Sequence, residues 1–168
     1  HINKNLFYSL IFAILFSVFP WELILPEVYF NDRNTYRIMV ESHFNKIIFG
    51  GYYDTITSYF SYEWAWNFTL YVFYEELKFS FDTIFLFLTF FNIFITSLIF
   101  TKITKVGYLP FLLNPWFFDF IYSQTRLALA ISLLYLCYLL LLKKIRLILP
   151  LIILYALLIH TSALLFLI

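Results

Sequence analysis

The chain has 168 residues, of which 63% are hydrophobic, 24% are aromatic and only 12% are charged. Soluble domains carry about 25% charged residues, so this composition predicts an integral membrane protein. The formal net charge is +1 and no basic cluster of the kind that binds nucleic acid occurs in the sequence, which argues against a nucleic-acid partner. The single cysteine, Cys137, excludes an intramolecular disulfide within the sequence.

Apolar stretches along the chain predict a bundle of about five membrane spans, and therefore an all-α fold. A span needs about 20 apolar residues to cross the roughly 30 Å hydrocarbon layer. Pro110 and Pro115 interrupt the third stretch, which either crosses the membrane or breaks and packs against other helices. In chain order, the predicted spans are residues 6–25, 83–101, 106–122, 126–142 and 147–168.

The loop after the first span, residues 26–79, combines charged and aromatic residues and has no window apolar enough to cross a membrane. Its patterning predicts two aromatic-rich helices, over about residues 36–49 and 63–77, that lie in the plane of the membrane interface. The Gly50-Gly51 pair is expected to form the turn between them.

The two ends of the sequence suggest that it is a fragment. It begins at His1 rather than Met, and it stops at Ile168 inside an apolar segment. We therefore expect one membrane domain over residues 1–168 that belongs to a longer protein with further spans.

The basic residues predict the orientation in the membrane. If the amino terminus is inside, the inner loops receive six of the eleven basic residues and none of the ten acidic ones. This arrangement satisfies the positive-inside rule and places residues 26–79 outside. The six are Lys4, Lys102, Lys105, Lys143, Lys144 and Arg146.

Four ionisable residues are predicted to meet at the outer face. Arg126 begins the fourth span and His160 lies in the last one, at heights of roughly 25 and 21 Å above the inner boundary. Asp32 and Glu63 belong to the outer loop. An arginine at a partly desolvated helix start suits phosphate oxygens, and a carboxylate or neutral imidazole can accept a proton from a hydroxyl.

Each of these residues also has a purely structural interpretation. Arg126 could reach up to lipid headgroups, and His160 could form a hydrogen bond between helices with the hydroxyl residues that follow it. Asp32 could be a solvated loop acid or a helix cap, and Glu63 could be a helix N-terminal charge favoured by the dipole. The sequence contains no nucleophile motif, Walker loop or metal-ligand spacing.

Four short blocks in this order resemble the EpsG-like, Wzy-type polysaccharide polymerases that make O-antigen or capsule in bacterial envelopes. The blocks are DRNTY at residues 32–36, EWAWN at 63–67, QTRLALA at 124–130 and IHTSA at 159–163. Together they extend over about Asn31–Ala163. Leu127 follows the arginine where many relatives carry glutamine. The resemblance implies a helical membrane bundle similar to the GT-C glycosyltransferases.

The resemblance also implies a reaction and a place. The enzyme would transfer a growing glycan from a polyprenyl diphosphate donor to a lipid-linked repeat unit at the outer face of the bacterial inner membrane. Asp32 is slightly preferred over Glu63 as the base for the acceptor hydroxyl. The implied site comprises the diphosphate-binding Arg126, the catalytic Asp32, Glu63 and His160, and the supporting Tyr36 and Gln124.

The expected partners are the polyprenyl-diphosphate-linked oligosaccharide and the bilayer, with a chain-length regulator protein as an additional candidate. No cofactor is expected, although paired carboxylates leave a divalent metal open. The alternatives are another polyprenyl-linked-sugar glycosyltransferase, a transporter or flippase component for lipid-linked oligosaccharides, and a non-catalytic membrane subunit.

Overall fold

A computed structural model describes residues 4–49 and 53–166, and within these ranges every regular element is helical. The all-α fold class is therefore confirmed for the described residues. Short 3₁₀ and π segments connect the α-helices. The α-helices are α1 (Lys4–Val18), α2 (Asn31–Phe49), α3 (Ile56–Ser61), α4 (Trp64–Tyr71), α5 (Phe81–Ile103), α6 (Pro115–Phe118), α7 (Thr125–Leu142) and α8 (Leu149–Ile159).

Two of these helices, α5 and α7, are long and apolar enough to cross a membrane. Their 23 and 18 residues correspond to lengths of about 34 and 27 Å. Both helices turn apolar side chains outward, including the exposed Phe87 and Leu141. An outward apolar face is suited to lipid, so these helices indicate membrane association.

The other three expected spans are not continuous long helices in the described part of the chain. α1 has 15 residues and α8 has 11, which correspond to about 22 and 17 Å. The first expected span, residues 6–25, is cut short before Pro20, and the Trp21 Nε1–H caps the helix end by donating to the Phe16 carbonyl at 2.7 Å. The last, residues 147–168, is cut short because His160 has an extended backbone.

Residues 106–122 break and pack against other helices, which is the second of the two predicted outcomes. The segment forms a 3₁₀ helix over Val106–Leu112, then α6, then a π-helix over Asp119–Ser123. Pro110 lies inside the 3₁₀ helix and Pro115 lies at the start of α6. The apolar side chains that the segment buries against α1, α5 and α7 are Leu109, Leu112, Phe117, Phe118 and Ile121.

The contacts between helices define the two ends of the bundle. Ser9 Oγ near the start of α1 lies 3.3 Å from Thr101 Oγ1 near the end of α5, so these two helices are antiparallel. Early residues of α5 share a core cluster with early residues of α7 and the end of α8, while Leu98 and Leu139 meet farther along. α5 and α7 therefore begin, and α8 finishes, at one end, which we name the Arg126 end.

The two helices that were expected to lie in the interface plane pack onto the bundle, and their position relative to a membrane stays a prediction. α2 begins at Asn31, five residues before the expected start, and α4 continues into a π-helix over Val72–Glu76. Tyr36, Trp66 and Leu70 are buried against α5, α7 and α8. Burying aromatic side chains removes a large apolar area from solvent, which favours this packing. The expected Gly50-Gly51 turn lies outside the described residues.

Candidate functional site

The candidate site is built around the Glu63 carboxylate, which contacts both Arg126 and His160. Arg126 is the second residue of α7, and its Nη1 donates a hydrogen bond to Glu63 Oε2. The Glu63 side chain is only 14% exposed and that of Arg126 is 34% exposed. Charge-assisted hydrogen bonds in such partly dehydrated places are stronger than surface ion pairs. The arginine is therefore held inward by a carboxylate.

His160 lies against the second oxygen of the same carboxylate. Its Nδ1 is 2.9 Å from Glu63 Oε1, and its side chain is 25% exposed. The ring orientation does not point an N–H directly at this oxygen, so the contact is a close polar approach rather than an aligned hydrogen bond. One carboxylate thus joins the start of α7 to the end of α8.

The backbone of Glu63 has an unusual conformation that directs its side chain. Its φ and ψ are 50° and 53°, in the left-handed region, and it precedes α4 without using its side chain as a cap. A residue other than glycine in this region costs about 1 kcal/mol and usually persists only where its surroundings hold it. Because the carboxylate is not engaged by the helix end, it is free to contact Arg126 and His160.

Two hydrogen-bonded contacts fix the position of Glu63 next to α8, one within the turn before it and one between α4 and α8. The Asn67 side-chain amide donates to the Tyr62 carbonyl at 2.9 Å, which fixes the turn just before Glu63. One and a half turns along α4, Thr69 Oγ1 lies 2.6 Å from the Tyr155 hydroxyl of α8. Since Glu63 meets His160 and Thr69 meets Tyr155, α4 and α8 run in opposite directions over this stretch.

Tyr36 closes the site from α2. The guanidinium carbon of Arg126 lies 5.4 Å from the centre of the Tyr36 ring, which is the geometry of a cation–π contact. Burial raises the pKa of the Tyr36 hydroxyl, and the charge and hydrogen bonding of Asp32, one helical turn away, raise it further, although Arg126 opposes them. Tyr36 is therefore a neutral phenol at physiological pH.

The remaining two predicted site residues, Asp32 and Gln124, form no ion pair with Arg126, Glu63 or His160 among the described residues. Asp32 is half-buried in the first turn of α2 and acts on Tyr36; none of the ion pairs found among the described residues includes it. Gln124 is exposed, and its amide donates to Asp119 Oδ2 at 2.9 Å. Gln124 thus organises the π-helical segment before α7 rather than contacting Arg126.

A second charged cluster, which the sequence analysis missed, lies at the same end of the bundle. Arg33 of α2 donates to Glu22 and, at 2.8 Å, to Asp82 Oδ1, and Arg37 donates to that same oxygen. The Arg37 guanidinium carbon is also 5.2 Å from the centre of the Phe81 ring. The sequence did contain a signal for this cluster, because the i,i+4 spacing of Arg33 and Arg37 places both on one face of a helix.

Among the side chains that the structure describes, which exclude those of residues 42–49, no three His, Cys, Asp or Glu come close enough to hold a metal ion. The candidate site itself offers one carboxylate and one imidazole, both engaged with each other. The groups that the site brings together are a guanidinium, a carboxylate, an imidazole and a phenol.

No protein-family model, no curated protein and no solved structure matches the chain. The class that the fold and the site define is accordingly an all-helical protein with two candidate membrane-spanning helices and an arginine–glutamate–histidine cluster at one end.

Proposed function

We propose that this chain is part of a membrane glycosyltransferase of the polysaccharide-polymerase class, as its ordered sequence blocks suggest. The donor would be a glycan on a polyprenyl diphosphate, and the acceptor would be a lipid-linked repeat unit. The observation that carries the proposal is the placement of Arg126 at the start of a candidate span, beside a carboxylate and an imidazole.

Arg126 fits the diphosphate for both geometric and electrostatic reasons. It is held at the end of an apolar helix, where the phosphates of a membrane lipid lie. Its fork of donors matches phosphate oxygens bidentately. The Tyr36 ring supports its other face. A bound diphosphate competes with Glu63 for the guanidinium, because both are anionic acceptors.

This competition assigns a role to Glu63. When diphosphate oxygens take Arg126, the carboxylate keeps its contact with His160 and can accept a proton. The acceptor hydroxyl oxygen then bonds to the anomeric carbon of the donor sugar. The bond from that carbon to the diphosphate oxygen breaks, its electron pair leaves with the diphosphate, and the hydroxyl proton passes to Glu63.

The geometry favours Glu63 over Asp32 as the base. Glu63 touches both the phosphate-binding residue and the imidazole, whereas Asp32 acts through Tyr36. Arg126 stabilises the charge that develops on the leaving diphosphate, which is the kind of interaction that contributes most to catalysis. His160 positions the carboxylate.

The proposal includes a multi-pass position in the bacterial inner membrane with the site facing outward. The basic residues that the sequence assigns to the inner side include Lys102 near the end of α5 and Lys143 just after α7. Both lie at the end of the bundle opposite Arg126. This charge asymmetry supports the outward orientation.

Separate alanine replacements of Arg126, Glu63, His160 and Asp32 test the proposal in the native host. We expect the first three to shorten or abolish the long-chain polysaccharide on the cell surface, and Asp32→Ala to have the smallest effect. Arg146→Ala, at an exposed arginine of the opposite end, is the matched control. An unchanged chain-length distribution in all four variants would refute the polymerase proposal.

A transfer assay with purified lipid-linked repeat units separates this function from transport. A polymerase variant that still binds the lipid but no longer extends the glycan supports catalysis. If the wild-type protein moves the lipid across a vesicle membrane without extending the glycan, the chain is a flippase component instead.

A further inference from the structure

A cleft beside the second charged cluster is not used by the proposed reaction site. It lies between the segment after α1, the first turns of α2 and the first turns of α5, and it encloses about 430 Å³. This volume is in the range of small-molecule sites. Arg126, Glu63, His160 and Tyr36 do not line it. Its presence therefore calls for a separate explanation.

The cleft has an apolar part and a polar part. Phe19, Leu23 and Leu86 line the apolar part, and all three are exposed on the outside of the bundle. A second, polar depression of about 370 Å³ adjoins it and shares Glu22, Phe30 and Arg33 with it. Leu86 belongs to α5, a candidate span, so the apolar part opens where lipid would contact the helix.

The charges around the polar part nearly cancel. Arg33 and Arg37 face Glu22, Glu27 and Asp82, which gives a formal sum of −1 for these five side chains. Both arginines are already paired with Asp82. An anionic headgroup would have to displace these carboxylates and would meet a third, Glu27. A neutral headgroup would meet no such repulsion.

Donors and acceptors lie side by side in the polar part, and they indicate what a neutral ligand should carry. The guanidinium groups of Arg33 and Arg37 provide the donors. The exposed Glu22 and Asp82 carboxylates provide acceptors next to them. A hydroxyl group both donates and accepts hydrogen bonds, so a polyhydroxylated headgroup can bind the arginine donors and the carboxylate acceptors together.

We propose that the cleft binds a lipid with an uncharged, polyhydroxylated headgroup, with its chain against Leu86 and its hydroxyls at Arg33 and Asp82. Trp21 lines the same cleft beside the buried Phe30 and Phe85, and its half-buried ring gives a flat surface for a sugar. The site is independent of the proposed transfer reaction because it shares no lining residue with the diphosphate site.

Binding of alkyl glycosides to the purified chain in lipid nanodiscs tests this site. The probes are radiolabelled octyl glucoside and octyl galactoside, with octyl phosphate as an anionic probe with the same tail and empty nanodiscs as the background. We expect saturable binding of at least one glycoside and weaker binding of octyl phosphate. Stronger binding of octyl phosphate, or no saturable binding of either glycoside, would overturn the proposal.

Variants locate the binding. Leu86→Trp fills the apolar part and should reduce glycoside affinity at least tenfold, whereas Leu147→Trp, at a 90% exposed leucine outside the cleft, should leave it unchanged. Arg126→Ala should also leave it unchanged, so a failure of the diphosphate proposal would not affect this result. Equal binding by the Leu86→Trp and wild-type proteins, with equal thermal unfolding, would contradict the assignment.

Discussion

The Arg126 end carries two arginine–carboxylate clusters that differ in how they are packed. In the first, Glu63 contacts both Arg126 and His160, and the side chains of Glu63 and His160 are 14% and 25% exposed. In the second, Arg33 meets Glu22 and Asp82, whose side chains are 58% and 61% exposed. Both clusters therefore pair opposite charges, but only the first removes the carboxylate from most of its solvent.

This difference explains why we assign chemistry to one cluster and recognition to the other. A shielded carboxylate beside an arginine and a histidine can exchange partners with an anion and take up a proton. Exposed ion pairs contribute little energy, about 0–1 kcal/mol each, but they present donors and acceptors to a ligand. The left-handed backbone of Glu63 is a further cost that only the first cluster bears.

The largest expected effect comes from removing the guanidinium of the shielded cluster. Arg126→Ala should lower the rate of glycan transfer by about 100-fold to 1,000-fold, because a stabilising donor at the leaving group is lost. It should also abolish pyrophosphate binding, measured by calorimetry in nanodiscs. Arg33→Ala is the matched arginine of the exposed cluster. If Arg33→Ala loses pyrophosphate binding to the same degree, the proposed difference between the two clusters is wrong.

A smaller effect is expected from the ring that supports Arg126. Tyr36→Leu should weaken pyrophosphate binding about twofold to fivefold, since an exposed to partly buried cation–π contact contributes about 0.5–1 kcal/mol. Tyr36→Phe keeps the ring and should bind within twofold of wild type. If Tyr36→Phe binds as weakly as Tyr36→Leu, the hydroxyl rather than the ring supports the arginine.

The exposed cluster should respond weakly to the loss of one charge. Glu22→Gln removes one ion pair of Arg33, and we expect the free energy of unfolding to fall by less than about 1 kcal/mol. Unfolding in mixed micelles of increasing denaturing detergent measures this change. A loss of several kcal/mol would mean that the two clusters are energetically alike.

The smallest effect is expected from a left-handed residue that lies away from the candidate site. Lys144 also has a left-handed backbone, with φ of 62°, but it lies in the exposed turn between α7 and α8. Lys144→Gly relieves a strain of about 1 kcal/mol and loses part of it to chain entropy. We expect a gain of about 0.5 kcal/mol in unfolding free energy and unchanged pyrophosphate binding. A change in pyrophosphate binding would mean that backbone strain far from the site also affects it, and it would contradict this expectation.

The sequence predicted the helical class and the two long helices because uninterrupted apolar runs leave a helix as the favoured structure. The ends of α1 and α8 were not predicted. Pro20 is a signal in the sequence for the end of α1, and the Trp21 side chain adds a hydrogen bond there, whereas the end of α8 depends on the extended backbone at His160. Helix ends of this kind depend on single side chains and on local backbone conformation, which a hydropathy pattern does not indicate.

The candidate site was predicted in part for a similar reason. A height count along two antiparallel helices was enough to expect Arg126 and His160 at one level. The choice of Glu63 as their shared partner depends on its left-handed turn and on the packing of α4 against α8, which sequence patterns do not show. The Arg33 cluster was missed because α2 was expected to begin at residue 36.

The most direct test of the account is pyrophosphate binding to wild-type protein and to the Glu63→Gln variant, measured by calorimetry in nanodiscs. If Glu63 competes with phosphate for Arg126, removal of its charge should tighten binding about tenfold, which corresponds to about 1.4 kcal/mol, while glycan transfer is lost. If Glu63→Gln instead weakens pyrophosphate binding, with unfolding unchanged, Glu63 does not compete with phosphate for Arg126 and the central claim is wrong.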